Sequence, residues 1–332
     1  MKICIVKLSA LGDIIHSMVV LQFIKQKYPN STIDWVVEGV FEDILKNNPH
    51  VDNIITVNLK SIKKDKFKIF HELRNIRKLH KNNYDIVIDA QGLLKSAIVS
   101  RLISAKTIFG FSKDSIREGI ASLFYTKTAS IAYDKNVIDR NVTLINKSLD
   151  MDVSKDDILG KKPFLYSSFS NSNATDILYV LGASRENKIY PKEKFAELAT
   201  RLKEYKIEAV WANDYEKDAA DYIASKCENV DVCPKMSLDE LKDKIVNSSL
   251  VIGGDTGPTH MAWGLNVPSI TIFGNTPEYR NTYITDINKV VKSDSKVNPL
   301  KLDKNDFSIR DIDPIEISSL VSISNLKNIN KG

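Results

Sequence analysis

A chain of 332 residues with 43% hydrophobic and 27% charged side chains has room for two domains, and its composition excludes disorder, collagen and coiled coil. Lysine and arginine number 47 against 42 acids, a net of +5, and the surplus is local: residues 1–160 carry 24 basic and 18 acidic side chains, residues 161–332 carry 23 and 24. Within Lys60–Lys81 nine basic residues face two acids, so an anionic partner is expected for the first half and a general nucleic-acid coat is not.

The pattern alternates between β-rich runs and helical stretches. Strands are expected at Ile3–Leu8, Ile33–Val37, Asn53–Val57 and Ile86–Asp89. Between and after them, apolar spacing predicts helices over Ile14–Tyr28, Phe41–Asn47, Phe70–Lys81 and Leu93–Ile103. After the small polar run Ser167–Thr175 the alternation restarts, with strands at Ile177–Leu181, Glu208–Trp211, Leu250–Gly253 and Ser269–Phe273. Helices are expected at Lys192–Tyr205, Glu216–Lys226, Leu238–Ser248 and just after Pro258, with a last one at Pro314–Ser324. This order predicts an α/β protein of two doubly wound, Rossmann-like domains: 1–166, a linker 167–175, and 176–312, followed by a C-terminal segment 313–332. Cys4, Cys227 and Cys233 fit neither a disulfide framework nor a zinc spacing and point to a reducing, cytoplasmic setting. The charged start, Met1-Lys-Ile-Cys-Ile-Val-Lys7, does not read as a secretory leader, and the uncharged run Thr256–Pro277 is too broken by proline and glycine for a membrane span.

In doubly wound sheets ligands bind beyond the carboxyl ends of the strands, and four such loops carry unusual residues. The first, Ser9-Ala-Leu-Gly12-Asp13, is not a Walker sequence and no G-x-G-x-x-G follows strand one, so P-loop and dinucleotide-dehydrogenase readings lose their main support. Asp13 is either a functional carboxylate or an ordinary helix cap. The second, Asp89-Ala-Gln91-Gly92-Leu-Leu-Lys95, is a polar cluster or a plain turn with a solvated lysine. The third, Gly182-Ala-Ser184-Arg-Glu-Asn-Lys188, offers hydroxyl, amide and ammonium donors to phosphate. The fourth, Gly253-Gly-Asp255-Thr256-Gly257-Pro258-Thr-His260, ends a buried strand and starts a helix, so its amides form an anion site while Asp255 suits sugar hydroxyls. His260 is a phosphate donor or a core histidine.

Taken together, Lys7-Leu-Ser-Ala-Leu-Gly12-Asp13-Ile-Ile-His16, Asp89-Ala-Gln-Gly-Leu-Leu-Lys95-Ser96, Met236-Ser-Leu and Asp255-Thr-Gly-Pro-Thr-His260 resemble the bacterial heptosyltransferase family, with motifs in both halves in the family's order. The Asp-Ala-Gln-Gly element is nearer to the members that add the first heptose than to those that add the second. The resemblance implies a GT-B fold, two Rossmann-like domains facing across a cleft, with the C-terminal helix returning to the first domain. It implies inverting transfer of L-glycero-D-manno-heptose from ADP-heptose to the first Kdo of Kdo2-lipid A. Asp13 then matches the catalytic base. Lys188 matches the lysine on the donor phosphates, with Ser184 in place of a threonine in the same loop. Glu216 matches the ribose acid, Met236 the methionine beside adenine, Asp255 the heptose acid, and Thr256, Gly257 and His260 the pyrophosphate loop. Lys60, Lys63, Lys64, Gln91, Lys95 and Arg117 are assigned to the acceptor, whose carboxylates and phosphates suit cations. No metal or other cofactor and no nucleic acid are expected, and the inner-membrane surface is expected as a peripheral partner. Two alternatives stay open: another GT-B enzyme acting on a nucleotide-sugar, such as the second heptosyltransferase or an epimerase, and a non-enzymatic anion-binding protein.

Overall fold

The computed structural model describes residues 1–59, 67–170 and 173–321. The chain divides into two compact units, Met1–Phe164 and Leu165–Gly332. In the first unit the elements run β1 (Lys2–Val6), α1 (Leu11–Met18), α2 (Val20–Lys27), β2 (Thr32–Glu38), β3 (Asn53–Val57), α3 (Phe67–Lys78), β4 (Tyr84–Asp89), α4 (Leu94–Ile103), β5 (Ala105–Phe111), β6 (Lys127–Ala129), α5 (Val137–Leu149) and α6 (Lys155–Leu159). The six strands form one parallel sheet in the order β3-β2-β1-β4-β5-β6. α3 and α4 lie on one face, where Ile76, Val99 and Ile103 pack with Cys4, Val6 and Val87 of the sheet. On the other face α5 packs against α1 and α2. Cys4 is a fully buried core residue, as its place in an apolar run predicts, and burial pushes its thiol well above the ordinary range.

The second unit repeats the plan: β7 (Thr175–Val180), α7 (Lys192–Arg201), β8 (Ile207–Val210), α8 (Asp214–Ala224), β9 (Val230–Val232), α9 (Leu238–Val246), β10 (Ser248–Gly254), α10 (Gly257–Gly264), β11 (Ser269–Phe273), α11 (Glu278–Asn281), β12 (Asn288–Lys292) and α12 (Pro314–Ser319). Its six strands are again parallel, ordered β12-β11-β10-β7-β8-β9. In both units the strand order reverses beside the first strand, between β1 and β4 and between β7 and β10. The crevice at that reversal is where a doubly wound sheet receives its ligand.

Two stretches near the expected boundaries have defined contacts. The start of the expected linker is tied down: Ser167 Oγ donates to the Asp239 carbonyl at 2.9 Å and Ser168 Oγ to the Asp239 carboxylate at 2.5 Å. Its small polar residues are therefore hydroxyl anchors on the first turn of α9. The described turn of the last segment, α12, packs on α7. Ile312 and Ile317 are fully buried in the second unit's core, and Tyr190 Oη and Lys194 Nζ both donate to the Ile312 carbonyl. Residues 322–332 of that segment lie outside the described residues. No helix among the described residues is long and apolar enough to cross a membrane.

Candidate active site

In the first unit the loops after β1 and β4 are bonded to each other. Gln91 Oε1 accepts from the Leu8 and Ser9 amides, both at 3.0 Å. Lys7, nearly buried, donates from Nζ to the Ala90 carbonyl at 2.8 Å. Below them Asp89, fully buried, accepts from the Gln91 amide at 2.9 Å, the Gly92 amide at 3.0 Å and the Tyr125 hydroxyl at 2.8 Å. Burial pushes the Asp89 carboxyl above its ordinary range against the pull of these donors. The result is a rigid platform from which α1 starts. Asp13, half-buried in the first turn of α1, takes the Ala10 amide on Oδ2 at 3.2 Å, which is the capping contact. Among the described residues no group bonds its Oδ1, so one carboxylate oxygen stays available to a ligand.

The second unit places its charges differently. Asp255, at the end of β10, is 5% exposed, and Lys188, from the loop after β7, is 13% exposed; Nζ and Oδ2 meet at 2.7 Å. Thr276 Oγ1 and Asn281 Nδ2 also donate to Oδ2, at 2.8 and 3.0 Å, while His260 Nε2 lies 3.0 Å from Oδ1. Burial alone would raise the Asp255 carboxyl. The Lys188 charge, with the His260 and Lys188 hydrogen bonds, outweighs it and holds the group well below the usual carboxylate range. Thr256 is the N-cap of α10, with Gly257 and Pro258 opening the helix, so the free Gly257 and Thr259 amides stand beside the ion pair. Gly254 is required here, because a Cβ would meet the Lys188 carbonyl at 2.9 Å; the two loops touch through bare backbone.

Beyond the ion pair, the remaining second-unit residues line the same end of the sheet. Glu216, on α8, lies against Gly182, where a Cβ would meet Oε1 at 2.0 Å. Its carboxylate accepts from the Ala212 amide and the Asn213 side chain, both at 2.7 Å. Met236 is half-buried just before Ser237, the N-cap of α9, and Trp211 bridges to that loop through Nε1 and the Cys233 carbonyl at 2.7 Å. Ser184 is exposed in the loop after β7.

The structure thus gathers Lys188, Asp255, Thr256, Gly257 and His260 at one switch point, with Glu216 and Met236 on the neighbouring loops. Gln91 does not stand clear as an acceptor contact would: its carbonyl oxygen is spent on the Asp13 loop, because two strand-end amides need an acceptor there. Lys95 is half-buried in the first turn of α4, and Arg117 is exposed with its guanidinium 5.2 Å from the Tyr133 ring centre. Lys60, Lys63 and Lys64 lie outside the described residues. Sequence reasoning missed Thr276 and Asn281. The signal was present, since Asn275-Thr276-Pro277 is a turn directly after the buried strand β11.

An α/β unit with a lysine, a buried acid and a helix N-terminus converging at its switch point can hold a phosphorylated ligand, and two doubly wound units in one chain are the plan of the GT-B fold. The residues from 72 to 306 match the model of glycosyltransferase family 9 (heptosyltransferase), and the chain belongs to that family. It is a glycosyltransferase. Lipopolysaccharide heptosyltransferase 1 of Campylobacter coli is 43% identical to it, covering 97% of this chain and 98% of that protein. The solved structure of E. coli heptosyltransferase WaaC with ADP is similar with a TM-score of 0.81 at 28% identity, covering 98% of this chain and 100% of that one. The same enzyme with ADP-2-deoxy-2-fluoro heptose gives a TM-score of 0.77 at 29% identity, covering 93% of this chain and 97% of that one.

Proposed function

We propose that this chain transfers L-glycero-D-manno-heptose from ADP-heptose to the first Kdo of Kdo2-lipid A, with inversion, in the inner core of lipopolysaccharide. The likeness to a lipopolysaccharide heptosyltransferase 1 along nearly the full length of both chains carries this reading. The chemistry divides between the units. In the first, Asp13 takes the proton of the acceptor hydroxyl as its oxygen bonds the anomeric carbon. In the second, the bond from that carbon to the β-phosphate oxygen breaks and ADP departs with the electron pair, its charge met by Lys188 and the free amides of α10. Asp255 accepts from heptose hydroxyls, Glu216 from ribose, and Met236 packs against adenine. Lys60, Lys63, Lys64, Lys95 and Arg117 meet the acceptor's anionic groups at the cytoplasmic face of the inner membrane.

Lysine and helix amides supply the positive charge that a divalent ion supplies elsewhere, so turnover is expected to survive excess chelator. The test of the whole reading is mass spectrometry of products from ADP-heptose and a deacylated Kdo acceptor. A heptosyl-Kdo product is expected. Its absence, or transfer only to an acceptor that already bears heptose, overturns the assignment.

A further inference from the structure

The helical layer on one face of the first unit has an outer surface whose apolar side chains the transfer chemistry leaves unused. It is built from α3, α4 and the short 3-10 turn Gly119–Phe124, with α4 packed against both neighbours. Large apolar side chains stand in solvent on all three: Phe70 is 77% exposed, Ile98 36%, Ile120 59% and Leu123 80%. None has a core reason to be there, because Ile76, Val99 and Ile103 already fill the inward faces. An exposed apolar cluster on adjoining elements marks a docking surface more often than a lone leucine does.

Cations frame it. Arg74, Arg77 and Lys78 follow Phe70 at helical spacing on the same exposed face of α3. Arg101 lies one turn beyond Ile98 on α4, and Lys113 and Arg117 precede the turn that carries Ile120 and Leu123. Two nearby acids are engaged with backbone: Glu118 accepts from the Leu94 amide at 2.7 Å and Glu72 from the Asn58 amide at 2.8 Å. Against one further exposed acid, Asp114, six cations flank these apolar side chains, and such a surface suits anionic headgroups with its apolar tips sunk below them. We infer that the outer face of α3, α4 and Gly119–Phe124 docks on an anionic phospholipid bilayer.

The placement fits the proposed reaction, on which this inference rests. The first turn of α4 follows directly on the Gln91 loop that holds Asp13, so the docking layer and the base share one rigid platform. A lipid-anchored acceptor would then meet the base without leaving its membrane.

The full chain is floated with vesicles of phosphatidylglycerol and phosphatidylethanolamine, and in parallel with pure phosphatidylcholine. Binding is expected to the first and not the second. The double variant Ile120→Asp/Leu123→Asp should lose vesicle binding about tenfold, since two apolar tips become like charges facing anionic lipid. Its melting temperature and its turnover on a water-soluble, deacylated acceptor should stay at wild type. Phe70→Ser, at the most exposed position of α3, gives an independent reading and should lower binding severalfold if the double variant folds poorly. Flotation of both variants at the wild-type level overturns the inference. So does equal binding to neutral vesicles, or a dimer of the wild-type chain that the substitutions dissolve, which would make the face a contact between copies. Vesicle binding that depends on these residues in a chain that transfers no heptose would uphold the surface and sink the proposed reaction instead.

Discussion

Each unit carries an aspartate at its switch point, Asp13 after the first strand of one sheet and Asp255 after the fourth strand of the other, and the two are surrounded in opposite ways. Asp13 is half-buried, takes one backbone amide and keeps an oxygen open. Asp255 is buried and meets a lysine, a histidine, a threonine and an asparagine. Each hydrogen bond to a charged carboxylate lowers its affinity for a proton, so Asp255 is held well below the ordinary range and cannot serve as a base. It is a fixed negative charge that orients donors around it. Asp13 has fewer partners, on a loop whose rigidity comes from Gln91 and Lys7 rather than from bonds to the carboxylate itself. On the proposed mechanism, proton transfer and charge anchoring are separated by the number of donors each carboxylate is given.

The largest break in this contrast is expected from Asp13→Asn. Asparagine preserves the size and the cap to the Ala10 amide but cannot take a proton as a carboxylate does. Turnover should fall about a hundredfold or more, the usual scale for a positioned base, with donor affinity and melting temperature near wild type. Near-normal turnover in the folded variant would leave Asp13 as a helix cap only.

Lys188→Met attacks the other carboxylate. Removing one partner of a buried pair should cost about 3 kcal/mol, at the low end of the usual range because three donors remain on Asp255. Donor affinity should fall with it. The pH dependence gives a second readout. In the wild type the folded value lies below the unfolded one of about 3.9, so this stabilisation is complete above that pH and is lost as pH falls through the folded value. Without Lys188 the Asp255 carboxyl moves back up toward its unfolded value, so this group has less stability to lose in acid and the acid limb should become shallower. Melting curves taken between about pH 7 and about pH 3 decide it; an unchanged acid limb would mean that Lys188 does not set the charge of Asp255.

The contrast was only half visible in the sequence. Strand-end glycines and the Pro258 helix start revealed both switch-point loops, because those residues act locally. The stretch from Ser104 to Tyr166 escaped. β6 has three residues, too few to show a period of two, and β5 opens on Ala-Lys-Thr before its apolar half. β9, also three residues, was missed for the same reason. Thr276, Asn281 and the engagement of Gln91 depend on strands pairing far apart in sequence, and no local spacing encodes that. Gln91 reads as a free polar group until β1 and β4 lie side by side.

Gln91 offers the next test, since acceptor contact and loop support predict different kinetics. Gln91→Leu removes the acceptor for two amides, each bond worth about 1 kcal/mol, and should lower stability by roughly 2 kcal/mol. If its role is to hold the Asp13 loop, turnover should drop about tenfold at an unchanged acceptor Michaelis constant, the kind of loss a small misplacement of a base produces. Gln91→Glu, which still offers oxygens to both amides, should recover most of it. A raised acceptor Michaelis constant with intact turnover would return Gln91 to acceptor binding.

The smallest effect is expected at Thr276, and it measures how far the Asp255 site is over-determined. Thr276→Val keeps the shape and removes one donor at 2.8 Å, leaving Lys188, His260 and Asn281 on the carboxylate. A hydrogen bond to a charged group contributes about 1.5–3 kcal/mol when its loss leaves the charge without a partner. Here the others remain, so the expected loss is about 1 kcal/mol, with a donor Michaelis constant raised a fewfold and turnover at saturation hardly changed. Thr276→Ser retains the hydroxyl and should restore the donor constant, which a packing defect from the lost methyl would not allow. If Thr276→Val instead lowers turnover as strongly as Lys188→Met lowers donor affinity, the carboxylate's alignment depends on each donor singly. Asp255 would then share the sensitivity of Asp13, and the separation of anchor from base would fail at its anchoring end.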